Sequence, residues 1–286
     1  MSKEEIVIEG DKYNSKDRVR ADHTDKLYAH IPEGETLLTI KDLNVTYRTD
    51  EKSTVAVDDL SFEIKKGELV SIVGPSGCGK STILRCISGL LQPTSGTIMI
   101  GNNKCTTPGS DRGMVFQDFA LFPWRTVRKN IEFGLEIAGV PKEERRERSE
   151  KYLKAMGLFE FADSRIHELS GGMKQRVGIA RAMIMHPAVI LMDEPFGALD
   201  AQTRNILQES LVKVLKSSSR TIVFVTHSVD EALYLSDRII VLSKRPAMIH
   251  KIIEVPGDRP RDRAALEYAA MRKEILSYLQ SQNTMN

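Results

Sequence analysis

Leu69-Val70-Ser71-Ile72-Val73 runs straight into Gly74-Pro75-Ser76-Gly77-Cys78-Gly79-Lys80-Ser81, and the reading of these thirteen residues decides the fold. The nearly apolar run Leu69 to Val73 predicts a strand buried on both faces. From Gly74 to Ser81 every fixed position of G-x-x-x-x-G-K-[ST] is met. A helix is expected from Lys80 to about Ile87, ended by Gly89. In a strand–loop–helix of this kind, glycines let backbone N–H groups turn inward around phosphate oxygens. The helix N-terminus adds the positive end of its dipole. The cradle is therefore Gly74, Pro75, Ser76, Gly77, Cys78 and Gly79. Lys80 is expected to reach the outer phosphates and the Ser81 hydroxyl to ligate Mg²⁺, with Thr82 completing the nucleotide-binding set. Cys78 inside the loop reads as a small filler side chain.

A second element answers the first. Val189-Ile190-Leu191-Met192 is another buried apolar run, and it ends in Asp193-Glu194. A carboxylate at the C-terminal end of such a strand suits a hydrated metal, so Asp193 is the expected metal residue. Glu194 beside it is the expected base for an attacking water. Short β-type runs also occur at Leu37–Ile40, Val55–Val57, Leu60–Ile64, Thr97–Ile100, Gly113–Phe116, Thr221–Val225 and Arg238–Leu242, with Gly67, Gly96 and Gly101 as turns. Val127 to Arg181 reads mostly helical, and its Lys142–Lys151 stretch carries nine charges in ten residues, a solvated helix face. A last helix is expected over Asp262–Gln280, after the Pro256–Pro260 break. Apolar strands alternating with helices predict an α/β fold whose parallel sheet is covered on both faces.

The composition agrees with a packed globular chain. There are 286 residues, 41% hydrophobic and 28% charged, room for one large domain or two small ones. The 41 Lys+Arg against 39 Asp+Glu leave a net charge of +2, which argues against a dedicated nucleic-acid binder. No run approaches the length of a membrane span. The start of the chain lacks the apolar core of a secretory signal. Cys78, Cys86 and Cys105 have no ligand spacing and suit a reducing cytosol without structural zinc. A soluble intracellular protein is expected. Residues 1–36 hold 15 charged side chains and little apolar periodicity, so a mobile extension is expected there.

Leu169-Ser170-Gly171-Gly172-Met173 makes the reading specific. Together with the phosphate loop upstream and Asp193-Glu194 downstream, it resembles the nucleotide-binding subunit of an ABC transporter, from about Leu37 to Ser243. The resemblance implies a P-loop NTPase (RecA-like) core with an antiparallel β subdomain and an α-helical subdomain at about 126–182. The cassette would span 37–250, with a helical tail at 251–286. It implies ATP and Mg²⁺ as ligands and ATP hydrolysis as the activity. It further implies a head-to-tail pair, with a second copy or a paralogous ATPase subunit. Each ATP would then lie between one phosphate loop and the opposite Ser170-Gly171-Gly172. Met173 departs from the family's usual Gln.

Other family positions follow. Tyr47 matches the aromatic residue that stacks on adenine. Gln117 matches the glutamine that senses Mg²⁺ and the attacking water. Asp200, in Ala198-Leu199-Asp200, matches the segment coupling the two ATP sites. His227 matches the switch histidine at the γ-phosphate, and Ser228-x-x-Glu231 after it reads as a capping box. Lys80, Gln117, Glu194 and His227 are thus the catalytic set, and Ser81, Gln117 and Asp193 the metal set. The other histidines, 23, 30, 167, 186 and 250, read as surface residues.

Asp118 to Val127, with the chain's single tryptophan at Trp124, reads as an exposed contact patch. In the family this segment receives a helix from the transmembrane permease. Its Leu-Phe-Pro-Trp-Arg run and the later Ser243-Lys-Arg-Pro-Ala-Met-Ile249 resemble importers of the nitrate/sulfonate/taurine/bicarbonate group. That implies a permease and a substrate-binding protein as partners, no nucleic acid, and a peripheral place on the cytoplasmic membrane face. The alternative is a soluble ABC ATPase of translation, repair or assembly. Those usually carry tandem cassettes or a long insertion.

Overall fold

A computed structural model describes residues 28–284, apart from 51, 217–219 and 264. Two long strands, β1 (Thr36–Arg48) and β2 (Ser53–Lys65), pair antiparallel. The sequence suggested shorter pieces here, with Asp58-Asp59 as a break. The break is instead a bulge: Asp59 takes a positive φ of 44°, and its N–H donates to Asn44 Oδ1 at 3.0 Å. Strand β3 (Leu69–Val73) follows, buried at every position, and leads through the glycine loop into helix α1 (Lys80–Ser88). Gly89 closes α1 in the left-handed conformation expected of a helix-ending glycine. Strands β4 (Ser95–Ile100) and β5 (Asn103–Lys104) complete a four-stranded antiparallel sheet of order β2-β1-β4-β5.

After β6 (Arg112–Val115) the chain becomes helical: α2 (Val127–Ile131), α3 (Phe133–Ile137), α4 (Lys142–Ala155) and α5 (Gly171–Met183). The charged stretch is indeed a solvated face of α4. Glu147–Lys151 (2.9 Å) and Arg146–Glu150 (3.7 Å) pair at i,i+4 while Leu153 anchors the inner side. Strand β7 (Val189–Asp193), helix α6 (Ala201–Lys216), strand β8 (Thr221–Val225), helix α7 (Val229–Leu235) and strand β9 (Arg238–Leu242) then alternate. With the edge strand β10 (Ile249–Glu254), which runs antiparallel, they give a second sheet of order β10-β9-β3-β8-β7-β6. β3, β7 and β8 are buried at all five positions each. Each large apolar side chain so covered contributes roughly 1.5–3 kcal/mol relative to exposure. The order places the C-terminal ends of β3, β6, β7 and β8 on one rim, where open α/β sheets hold their ligands.

Both ends of the chain depart from expectation. The reading of a mobile extension stops applying at Tyr28, which is only 4% exposed. Its hydroxyl donates to Asp111 Oδ2 at 3.1 Å, and Lys66 Nζ donates to its carbonyl at 3.0 Å. Burial pushes the Tyr28 phenol up to about 12. One buried aromatic makes no periodicity, so the charge-rich context hid it. Residues 1–27 lie outside the described residues. At the other end, the expected boundary at 250/251 falls inside β10. The last helix, α8 (Leu266–Thr284), begins four residues later than expected. Arg261 is the reason: its guanidinium is buried and donates to the carbonyls of Ser236 (2.7 Å), Pro256 (3.0 Å) and Val255 (3.1 Å). Helix α8 packs on α7 and β9 through Tyr268 and Ile275. Among the described residues no helix is long and apolar enough to cross a membrane.

Candidate functional site

The glycine loop turns at Gly77 (φ 71°) and Gly79 (φ 130°). A Cβ on Gly79 would stand 2.7 Å from the Ala56 carbonyl oxygen, so no other residue fits. Cys78 is buried and its Sγ fills the space over Gly74, where an added Cβ would come within 2.9 Å of it. Burial raises the Cys78 thiol above its ordinary value, and the side chain packs as the small filler expected. Lys80 folds back along the loop, donating to the Gly74 carbonyl at 2.9 Å and the Pro75 carbonyl at 3.0 Å. These bonds hold the buried ammonium against the loop's own carbonyls.

The Ser81 hydroxyl donates to Asp193 Oδ1 at 3.0 Å, bridging α1 to the end of β7. That spacing suits a shared octahedral cation: two oxygens each at about 2.05 Å from Mg²⁺ lie about 2.9 Å apart. Burial raises the Asp193 carboxyl above its usual range; the carboxylate lacks a full counter-charge in its pocket. Among the described residues no three His, Cys, Asp or Glu side chains gather as a metal cage. A cation here would draw its remaining ligands from phosphate and water.

Glu194 leaves the strand with a positive φ of 43°, in the left-handed region that non-glycine residues avoid. Its own N–H, bonded to the Val225 carbonyl at 2.9 Å, pins the turn to β8. The turn carries the side chain across to His227, whose Nδ1 lies 2.9 Å from Glu194 Oε2. An ionised carboxylate only accepts, so Nδ1 carries the proton of this bond. The expected capping box at Ser228 is half made. Ser228 Oγ accepts from the Glu231 N–H at 3.3 Å, but the Glu231 carboxylate accepts from Thr226 Oγ1 at 2.6 Å instead of closing the box. This ties the helix after His227 back to the strand end before it. Burial holds the Glu231 carboxyl above its usual range.

Tyr47 stands exposed at the end of β1, and its hydroxyl bonds Thr82 Oγ1 at 3.1 Å. The ring thus borders the loop side of α1, a position open to a stacked base. Gln117 is exposed two residues past β6. No hydrogen bond ties it to the rim among the described residues.

Ser170, Gly171, Gly172 and Asp200 make a separate cluster. Ser170 caps α5 by accepting the Met173 N–H at 3.3 Å. A methyl on Gly172 would meet Thr203 Cγ2 at 2.3 Å, and one on Gly171 would lie 3.8 Å from Leu199 Cδ2. Asp200 accepts from the Thr203 N–H at 3.0 Å, and bonding with Thr203 lowers its carboxyl below the usual range. None of these residues hydrogen-bonds the phosphate loop among the described residues. They form a cluster of their own at the start of α5.

The 118–127 segment is less exposed than expected. Trp124 is 69% exposed, but Phe122 packs tilted against Phe133, ring centres 4.5 Å apart, and Leu121 packs on the helical cluster. Fully buried Asn130 fastens the segment, accepting the Phe122 N–H at 2.8 Å and donating to the carbonyls of Phe122 (3.1 Å) and Thr126 (3.0 Å). Arg181 donates to the carbonyls of Phe119 and Ala120, at 3.1 and 2.6 Å, where both residues take positive φ. His186 is not a free surface residue either: it is half-buried, 3.0 Å from Arg220. His250 is exposed but stacks on Tyr278. His23 lies outside the described residues.

The sequence reading missed Arg245. Its Nε and Nη2 donate to the Gly77 carbonyl at 3.1 and 2.8 Å, clamping the phosphate loop from the β9–β10 turn. The signal lay in the Ser243–Ile249 run, read there only as a likeness.

The ABC transporter family pattern matches residues 57–197. An uncharacterized ABC transporter ATP-binding protein of Methanocaldococcus jannaschii is 48% identical over 245 residues, 86% of this chain and 92% of that protein. A nitrate import ATP-binding protein of Synechocystis is 46% identical over 256 residues, covering 86% and 96%. Among solved structures, a dimeric ATP-binding cassette in a post-hydrolysis state with ADP and Pi superposes with a TM-score of 0.69. It is 36% identical, over 78% of this chain and 100% of that one.

Proposed function

The chain belongs to the ABC transporter family of ATP-binding proteins, and on that premise we propose that it powers the import of a small anion or sulfonate-like solute. As a family member it is an ATPase. The observation that carries the reading of the site is the pairing of Glu194 with His227 at 2.9 Å, beside Ser81 and Asp193 at 3.0 Å. Lys80, the loop amides and the α1 N-terminus hold the phosphates. Tyr47 stacks on the adenine. Ser81 and Asp193 hold Mg²⁺, with Gln117 assigned to the same shell by position. Bound Mg²⁺ neutralises charge that develops on the phosphate oxygens. Glu194 takes the proton of the attacking water. His227 keeps that carboxylate oriented through its Nδ1 proton and faces the γ-phosphate.

A second copy, or a paralogous subunit, supplies Ser170, Gly171 and Gly172 to each nucleotide, and Asp200 couples the two sites. The dimeric cassette that superposes on this chain supports this arrangement. The exposed Trp124 and its anchored segment receive the membrane subunit, on the cytoplasmic face of the membrane. A substrate-binding protein completes the importer. The near end-to-end match to a nitrate import protein supports this reading over a soluble non-transport ATPase.

Glu194→Gln is the test. The variant is expected to bind ATP, to hydrolyse it at least about 100-fold more slowly, and to accumulate as a dimer in size-exclusion chromatography. Turnover at the wild-type rate removes Glu194 from the role.

A further inference from the structure

A cleft of about 700 Å³ opens between α6, α7 and α8, outside the ATP site. Its wall includes Arg204 and Gln208 from α6, Glu231 from α7, and Arg263 and Arg272 from the approach to α8 and α8 itself. Most of its charges are answered. Arg272 pairs with Asp230 at 2.9 Å, and Arg204 lies 3.6 Å from Glu231. Arg261 is spent on backbone carbonyls. Two lining cations have no carboxylate within 4.0 Å among the described residues, the exposed Lys273 and the guanidinium of Arg263. It lies 3.7 Å over the Tyr234 ring, and its Nη2 donates to Gln208 Oε1 at 2.6 Å.

Gln208 completes the picture. It is fully buried, and its Nε2 has no acceptor among the described residues. The amide cannot be turned round to relieve this, because Nε2 would then face the Arg263 donor. A buried donor left unpaired is costly, on the order of 1–3 kcal/mol. Beside it stands a cation with no carboxylate partner among the described residues. Both deficits call for the same occupant, a group rich in acceptor oxygens and carrying negative charge. We propose that this cleft binds a small oxyanion or carboxylate, held by Arg263 and Gln208. The site lies where it touches the switch from behind. Arg204 stands four residues after Asp200, and Glu231 four residues after His227. An anion here would bridge the two helices that carry these residues.

The full chain, saturated with ADP so that the phosphate loop is filled, is titrated separately with sulfate, inorganic phosphate and succinate. Chloride at the same ionic strength is the control. The stabilisation that ADP itself gives reports on the phosphate loop separately from the cleft. At about tenfold over its dissociation constant, a bound anion is expected to raise the thermal midpoint by about 3 °C. Gln208→Glu keeps the shape and gives Arg263 an internal carboxylate, so this response is expected to vanish. An equal response in Gln208→Glu, or none in the wild type to any of the three anions, overturns the proposal. Should Gln208→Glu fail to fold, Arg263→Gln serves: loss of the response supports the site, and a retained response overturns it.

Discussion

Glu194 is held in a conformation that costs of order 1 kcal/mol, and it is retained because the backbone bond to Val225 over-determines it. Orientation of a single carboxylate is thus settled from the neighbouring strand, β8. Arg245 acts on the phosphate loop in a similar way, from a turn beyond β9. Losing a charge-assisted bond of this kind removes roughly 1.5 kcal/mol or more. Arg245→Ala is expected to raise KM for ATP about tenfold, with kcat little changed; an unaltered KM in steady-state assays contradicts the clamp. Glu231 offers a pH test. Burial raises its folded pKa above the ordinary carboxylate value, so the folded state holds the proton more tightly than the unfolded one. The fold is therefore favoured below that window and loses this contribution as pH rises through it. Glu231→Gln, which keeps an oxygen for Thr226, is expected to raise the thermal midpoint at pH 7.5 and not at pH 4.

Among the elements, the strand–loop–helix from Leu69 to Ser88 is self-sufficient, because its propensities, glycines and burial agree. The 118–127 segment is the opposite case. Phe119 and Ala120 take positive φ and lie in no helix or strand. Side chains from two helices, Asn130 of α2 and Arg181 of α5, supply the missing partners. Asn130→Ala leaves the half-buried Phe122 N–H unpaired and removes a second donor from the carbonyls of Phe122 and Thr126. A loss of about 2–3 kcal/mol is expected, read as a fall in the urea midpoint at unchanged slope. A loss below about 0.5 kcal/mol would show that water replaces the amide.

At the scale of the whole molecule, the proposed function turns on assembly. The loop with Glu194 and His227 lies apart from Ser170–Gly172, so under the proposed function a second copy is needed to bring the two together. The same chain presents Trp124 at 69% exposure on an otherwise folded-down segment. Large exposed aromatics are enriched where binding energy concentrates. Trp124→Ala is expected to leave the ATPase rate of the isolated chain within about twofold. Co-purification with the membrane subunit should drop at least about tenfold, a truncation of roughly 1.4 kcal/mol or more. Loss of both together places the residue in folding instead.

Local geometry was readable in the chain itself. The phosphate loop, the Asp193-Glu194 strand end and the start of α5 are short and contiguous, and the backbone geometry that each needs is written in its glycines and apolar runs. The strands Leu69–Val73 and Thr221–Val225 came out at their expected limits because buried parallel strands are continuous apolar runs. Contacts between distant segments leave no such periodic trace. Tyr28 against Asp111, Arg245 on Gly77, Arg261 among the carbonyls around β10, and Arg263 with Gln208 each join residues far apart or in irregular chain. Only the packed tertiary structure decides which lone arginine or tyrosine finds a partner, because burial turns an ordinary polar side chain into one that must be paired.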